Sequence, residues 1–475
     1  MLHLPASRYL LAAASLLLAS AIAGAQTTRY VDDDALGDPG PGNPGVSDPL
    51  EDGSAAHPFD AIQEAIDAAV TGDTVLVREG TYTGAGNHDM DFGGKRITVR
   101  SLAGPETCII DCQNAGRAFF FQSGETHAAV VDGFTITNGN AGGGNGGGID
   151  CTLESAPTIR NCVLLNNAAA ALGAGIACRG VSSAIITRCT FIGNISEGQG
   201  GGLSLFLLSD AIVTDCVFID NSAQWGGAID CSGSSPPITN CLCVGNTATL
   251  GGGGVYCSGA DPTITNCTFT GNASANGGAL VLAGLVLESY PVLTNCILWN
   301  DGPEEIVVGI GEPTITYSCV QGGWTGVGNI DADPIFLGET LNGEADYSLH
   351  ATSPCIDAGD NGAVPGDAAD LDGDGNTAEV TPLDLEERLR FADRLSTPDT
   401  GSGTAPLVDM GAYEYQCVGD LDGNGEVTLA DLALLLANYG TTDGASYQDG
   451  DVNVDGDVDL SDLANLLANY GIECD

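Results

Sequence analysis

The chain has 475 residues, with 13 lysines and arginines against 63 aspartates and glutamates, for a formal charge of −50, and it holds 69 glycines. That charge excludes nucleic acid and anionic lipid as partners and suits calcium and a salty exterior. Apolar residues still make up 43% of the sequence, which fits one elongated repeat domain with a small appendage.

Residues 1–25 hold a lone arginine, Arg8, an apolar stretch from Tyr9 to Ile22, and the small-residue site Ala23, Gly24, Ala25. This is the pattern of a cleaved secretory signal, so the remainder is expected to be secreted, to the extracellular space or the cell surface. No later stretch offers about eighteen consecutive apolar residues, so no membrane span is expected.

A repeat follows. Cysteines preceded by a polar residue fall at Cys162, Cys189, Cys216, Cys241, Cys267 and Cys296, at intervals of 27, 27, 25, 26 and 29. A period of this size marks a repeat architecture. Three residues before each stands an aliphatic, from Ile159 and Ile186 to Leu293. Two residues after comes a side chain such as Leu164, Phe191 or Phe218, and five after comes Asn167, Asn194, Asn221, Asn246, Asn272 or Asp301. A second column, Cys151, Cys178, Leu205, Cys231, Cys257 and Leu282, follows clusters of glycine.

Between the first two apolar positions one residue too many intervenes for simple alternation, so the chain turns a corner there. The corner residue is Asn161, Arg188, Asp215, Asn240, Asn266 or Asn295, and asparagine tolerates the left-handed backbone that a tight corner requires. Short strands joined by corners predict a coil whose turns stack as parallel strands about 4.8 Å apart.

The stretch "PTITNCTFTGNASANGGALVL" resembles one turn of the right-handed parallel β-helix of the pectate-lyase-like superfold. "HPFDAIQEAIDAAVTGDTVLVREGTYTG" is similar to the amphipathic cap and first turns of such proteins. "YSCVQGGWTGVGNIDADPIF", "SPCIDAGDN" and "VDMGAYEY" resemble the closing segments of a bacterial secreted subgroup. The expected fold class is therefore an all-β solenoid over residues 26–415, and the motifs specify fold far more than function.

Stacked inward thiols act as small hydrophobes, with disulfides within or across turns as the rival reading. Outside the columns, Cys108 with Cys112 and Cys417 with Cys474 are the better disulfide candidates. Arg188 and Asp215 share the corner column one turn apart and are expected to form a structural ion pair.

Enzymes on this superfold usually act on polysaccharides. A lyase needs a strong base beside calcium-binding carboxylates, yet no Lys or Arg lies between Arg188 and Arg388, and the single lysine, Lys95, sits near the amino-terminal cap. Hydrolysis needs two carboxylates about 5 to 9.5 Å apart. Asp150 and Asp230 are expected three turns apart, about 14 Å, which is too far. Asp210 and Asp261 fall in one column two turns apart, about 10 Å, within reach of an inverting pair, with solvated turn residues as the plainer account. The five histidines are scattered without metal-ligand spacing. Trp225, Trp299 and Trp324 either stack on sugars or pack turns.

Residues 416–475 duplicate an acidic loop followed by an apolar helix. A calcium loop needs oxygen ligands at positions 1, 3, 5, 7, 9 and 12 and glycine at 6. The first copy supplies Asp420, Asp422, Asn424, the carbonyl of Glu426, Thr428 and Asp431. The second supplies Asp451, Asn453, Asp455, the carbonyl of Asp457, Asp459 and Asp462. Val427 and Val458 are expected to pack one loop against the other.

The loop-helix pair resembles a type I dockerin over about residues 418 to 472. The resemblance implies two Ca2+ ions and docking to a cohesin-like protein. At the partner-reading loop positions, commonly Ser-Thr, this chain has Leu429-Ala430 and Leu460-Ser461, so the likeness is firmer for the metal than for the cohesin. The resulting reading is an exported solenoid that binds or displays on polysaccharide or a cell-surface glycan, tethered by a calcium-dependent tail. The alternative is a carbohydrate-active enzyme, a hydrolase more than a lyase, carried by the same tail.

Overall fold

A computed structural model describes residues 26–33, 50–283, 287–339, 345–371, 375–392, 394, 397–422, 424, 426–442, 445–452 and 457–471. The expected signal segment lies outside the described residues, as do Asn453, Asp455 and Cys474.

The aliphatics that precede each corner, Ile159, Ile186, Val213, Ile238, Ile264 and Leu293, sit mid-strand with their side chains buried. They pair in parallel, Ile159 with Ile186 and Ile186 with Val213, so like residues stack turn upon turn. The outcome is an all-β solenoid. One sheet of eleven strands runs from Thr28–Val31 to Thr314–Thr316, a second of ten from Gly80–Tyr82 to Cys319–Val320, and a third of eight from Phe119–Phe121 to Ile306–Val308. A short fourth sheet of five strands runs from Ala168–Ala169 to Ala273–Ser274.

The corner between the first and second sheets falls where the spacing places it. Asn161, Arg188, Asp215, Asn240, Asn266 and Asn295 all have φ between 50° and 56°, the left-handed region. Glycines make the bend before the third sheet, where Gly202 passes so close to its neighbours that a Cβ would stand 2.7 Å from Cδ1 of Phe218.

The buried asparagines form a ladder. The Asn194 side-chain amide donates to the carbonyl of Leu164 at 2.8 Å and to Oδ1 of Asn221 at 2.8 Å, while its backbone N–H also donates to that Oδ1 at 3.0 Å. Asn221 repeats the arrangement toward Phe191 and Asn246, and Asn246 toward Phe218 and Asn272. Beside them Phe191 and Phe218 stack with ring centroids 4.5 Å apart.

The inward cysteines are free and buried, in keeping with the small-hydrophobe reading. Each ladder thiol donates to the carbonyl two residues earlier, as Cys241 does to Thr239 at 3.1 Å and Cys267 to Thr265 at 3.2 Å. Burial pushes the thiols of Cys241, Cys267 and Cys296 well above their ordinary range, so they hold no thiolate character.

Two expectations need correction. Cys108 and Cys112 are both free. They lie four residues apart along an extended segment, about 13 Å, and a disulfide needs their Cα atoms within about 7 Å. Arg188 does not pair with Asp215; its Nε lies 2.9 Å from the Glu387 carboxylate instead. The closing segment reaches over the corner and presents Glu387 as the partner, while Asp215 is buried beside Asn240 and Arg390 at the edge of that segment. Cys417 is disulfide-bonded, with its candidate partner Cys474 outside the described residues.

A short helix, α1 (Ile62–Ala68), closes the amino-terminal end, with Ile62, Ala65 and Ile66 joining the solenoid core. Lys95 donates to the carbonyls of Ile66 and Asp67 at 2.7 and 3.1 Å, so it serves the negative end of this helix. The described residues between 345 and 415 form a strap over the outer face of the ten-stranded sheet. Leu349, Cys355, Ile356 and Met410 pack on Ile297 and Cys319, and Ala412 and Tyr413 pack on Leu242. Arg390, fully buried, fastens the strap by donating to Oδ1 of Asn240 at 3.0 Å and to the carbonyl of Ala412 at 2.7 Å.

Replacing Asn221 by leucine strands the Asn194 donors and the Phe191 carbonyl, so a destabilisation of about 3 kcal/mol or more is expected. An unchanged urea midpoint would remove the ladder from the account. Thiol titration of denatured, unreduced protein is expected to find the fifteen free cysteines reactive.

Candidate functional site

Where the strap stops, a cleft of about 430 Å³ remains between its edge and the outer face of the ten-stranded sheet. Val163, Thr190 and Val217 form the floor, Pro105 and Leu385 the apolar walls, and Arg188, Asp215, Glu386 and Glu387 the polar ones. Outward residues of successive strands alternate with inward ones, which is why these three floor residues lie in one row.

Two of its three carboxyl groups face an arginine: Glu387 meets Arg188 of the lining, and Glu386 meets Arg388, two residues further along the chain. Arg188 lies 2.9 Å from Glu387, and Arg388 lies 2.6 Å from Glu386. Asp215 is 5% exposed, and its Oδ1 has no hydrogen-bond partner. Burial pushes its carboxyl up to about 7, against the pull of a hydrogen bond from Asn240 and the positive charges of Arg188 and Arg390. A buried carboxyl poised near neutrality beside an open cleft is a functional-site signature. In the sequence the only trace of it was a pair of charged residues in a column otherwise made of asparagine.

The C-terminal module supplies a different kind of site. Helices α2 (Leu429–Asn438) and α3 (Leu460–Ala468) each begin in a capping box. Asp431 accepts from the Thr428 N–H at 2.7 Å, and Asp462 accepts from the Asp459 N–H at 2.8 Å. The two copies cross-tie: Gly440 N–H donates to the Val458 carbonyl and Gly471 N–H to the Val427 carbonyl, both at 2.8 Å. Val427 and Val458 share one buried cluster with Leu421, Leu435, Tyr447 and Leu466, as expected for loops packed on each other.

Asp420, Asp422 and Asp431 each offer a carboxylate oxygen, all within 4.8 Å of one another. Three such oxygens, two of them on buried residues, form a donor set suited to a hard divalent cation. Asn424 lies in the same loop, its N–H donating to Asp420 at 3.1 Å and to Asp422 at 3.3 Å, and its Oδ1 accepting from the Glu426 N–H at 3.0 Å. Thr428 uses its hydroxyl to cap α2. In the second copy Asp451 and Asp462 are buried, and Asp459 caps α3 through the Ser461 N–H at 2.7 Å. Asp457 precedes that cap.

Tyr447 joins this module to the strap. Its hydroxyl accepts from Gly419 at 2.9 Å, and Arg388 lies over its ring at 5.7 Å. A further acidic trio that sequence reasoning passed over, Glu51, Asp60 and Glu64, also brings carboxylate oxygens within 4.8 Å, and burial, then Asp60, pushes Glu64 up to about 7.

The weaker catalytic candidates stand elsewhere. Asp210 Oδ1 accepts from the Ser235 N–H at 2.5 Å, and Asp261 Oδ1 accepts from the Tyr290 N–H at 2.7 Å. Both are exposed and each ties down the turn that follows, so they share a column without facing a cleft lined by either. Asp150 and Asp230 are three turns apart through Ala177 and Ser204. Asp150 takes Arg117 and Arg179, and Asp230 takes the hydroxyls of Ser204 and Ser232 at 2.8 and 2.7 Å. Trp225 packs on Tyr256 at 4.8 Å, while Trp299 and Trp324 rest against buried clusters.

A family model described as the right handed beta helix region matches residues 106–269. No curated protein gives a significant match. Among solved structures, the chain is similar to pectate lyase Pel9A at 13% identity and a TM-score of 0.40, over 82% of this chain and 97% of that one. It is similar to a rhamnogalacturonan lyase at 12% identity and a TM-score of 0.38, over 69% and 96%. A PL6 family alginate lyase, AlyGC, aligns at 12% identity and a TM-score of 0.29, over 59% and 53%. At such identity and overlap the likeness is one of coil and says nothing of a substrate.

Burial raises Asp215 and Asp230 to about 7 and Asp409 to about 8. The unfolded chain releases the same protons near pH ~4, so the folded state binds more protons in between. Stability must therefore fall as pH rises from about 4 to about 8. The melting temperature is expected to be higher at about pH 5.5 than at about pH 8.5, and a flat or rising profile would mean that these carboxyls are ionised in the fold.

Proposed function

We propose that this protein is an exported solenoid that binds polysaccharide or a cell-surface glycan and is held in place by a calcium-ordered tail of the dockerin kind. The observation that carries the tether is the convergence of Asp420, Asp422 and Asp431 at the start of a duplicated helix. Without a cation, three carboxylates so close repel one another in a module with little core, so ion binding and folding are one event.

The helices leave a second surface free. Leu429 and Leu460, equivalent in the two copies, are 69% and 67% exposed, and Leu436 and Leu467 are more than half exposed. Apolar side chains repeated in this way fit a protein partner of the cohesin kind. Binding is preferred to turnover because Asp210 and Asp261 are engaged in turns, and Glu386 and Glu387 at the cleft beside the strap each face an arginine.

The test is retention of full-length protein on a panel of insoluble polysaccharides, with released reducing ends measured in parallel. Retention without release supports the reading, and steady release would favour the hydrolase alternative. For the tail, circular dichroism of the full chain is expected to lose helical signal on chelation and regain it with calcium. Asp431→Asn is expected to abolish that response, and a helical signal indifferent to chelator would end the calcium assignment.

A further inference from the structure

The asparagine ladder follows one rule. The side-chain oxygen of each rung accepts two donors from the rung before, a backbone N–H and a side-chain amide, as Asn246 does from Asn221 and Asn272 does from Asn246. Asp301 receives the same two donors from Asn272. Glu305 then stands in for a further rung, its Oε1 accepting the Asp301 N–H at 3.1 Å. The second donor is missing, because an ionised carboxylate has none to give. Asp301 Oδ2 is the atom that corresponds to the amide nitrogen of the other rungs.

Neither Asp301 Oδ2 nor Glu305 Oε2 receives a donor, and both atoms are buried, on residues 5% and 7% exposed. The two carboxyls lie within hydrogen-bonding reach of each other. No cation offsets them. A cleft of about 400 Å³ beside the pair is lined by both acids with Glu304, Gln321 and Trp324, and by no lysine, arginine or histidine. Glu304 in the cleft and the Cys243 thiol within the core are the other titratable groups around Asp301, and both are acids. Two touching carboxyls in such a place cannot both ionise at little cost. Burial, then the charge of Glu305, raises Asp301 well above the usual carboxylate range, and burial raises Glu305.

We propose that Asp301 and Glu305 share one proton and form the last rung of the ladder, a latch that opens as pH rises. With the proton bound, the Asp301 Oδ2–H donates to Glu305 as an amide would. With the proton lost, the two charges part. Asp301 stays, held by both Asn272 donors, and the longer Glu305 side chain turns into the cleft beside Trp324. The folded state keeps a proton that the unfolded chain releases in the ordinary carboxylate range, so the latch stabilises the fold at low pH and fails as pH rises through the raised value of the pair.

The experiment follows the fluorescence of Trp324 in the full-length protein, taken as the difference from Trp324→Phe, as pH is raised from about 5. A reversible step is expected above the ordinary carboxylate range. Asp301→Asn restores the amide of the other rungs and needs no proton, while Glu305→Gln supplies a donor from the opposite side, so each is expected to abolish the step. Asp301→Asn is also expected to melt at a higher temperature than the parent at the alkaline end and to match it at the acid end, a comparison that does not depend on Trp324. A step that survives both substitutions originates elsewhere and overturns the latch. A flat Trp324 signal overturns the movement of Glu305 into the cleft. An Asp301→Asn melting temperature that tracks the parent's at every pH means that no proton is shared, and overturns the proposal as a whole.

Discussion

A buried amide without a partner costs about 1–3 kcal/mol, and this coil buries one in turn after turn. Asn167, Asn194, Asn221, Asn246 and Asn272 each bond the turn before and the turn after, so each is satisfied only when its neighbours hold the same register. A slip of one residue would unpair the whole column and turn inward side chains outward. The stacked thiols, the phenylalanine pair and the left-handed corners are all tied to that register. The ladder closes on Asp301, whose Oδ1 accepts both Asn272 donors at 2.6 and 2.8 Å, and burial followed by the charge of Glu305 raises its carboxyl well above the usual range.

A coil of stacked strands leaves each sheet with an outer face, and the second sheet's outer face is apolar along much of its length. The strap solves this for the later turns by packing Tyr413, Ala412 and Leu385 over Leu242, Val217 and Val244. It does not reach the earlier turns, and the cleft exists because of that limit. The few cations of an acidic chain are concentrated where backbone must be fastened: Arg390 on the corner asparagine, Arg188 across to Glu387, Lys95 on the end of α1. Their scarcity explains why an arginine at the cleft is paired rather than available.

The tail works on different physics from the coil. Asp431 accepts backbone N–H groups as a helix cap and faces Asp420 and Asp422, so one side chain serves both the helix start and the acidic cluster. Contacts from Tyr447 to Arg388 and from Gln448 to the Glu387 carbonyl seat the module on the strap segment that walls the cleft. Order in the tail and shape in the cleft are thus adjoining properties.

The repeat, its corners and the inward columns were legible in the sequence because they rest on spacing, and spacing along a strand translates directly into side-chain direction. The left-handed backbone at Asn161 or Asn240 follows from local stereochemistry in the same way. What local pattern could not supply was any pairing across the closing segment. Arg188 meets Glu387 rather than Asp215, and Asp215 lines a cleft rather than completing an ion pair, because the strap returns over turns nearly two hundred positions earlier in the chain. Likewise Cys108 and Cys112 are close in sequence yet distant in space, since an extended strand separates them. By itself the sequence determined a stacked coil and a doubled acidic loop, both products of short-range periodicity. Only the tertiary structure decided where the outer face stays open and which charges meet there, because long-range packing of the strap governs both.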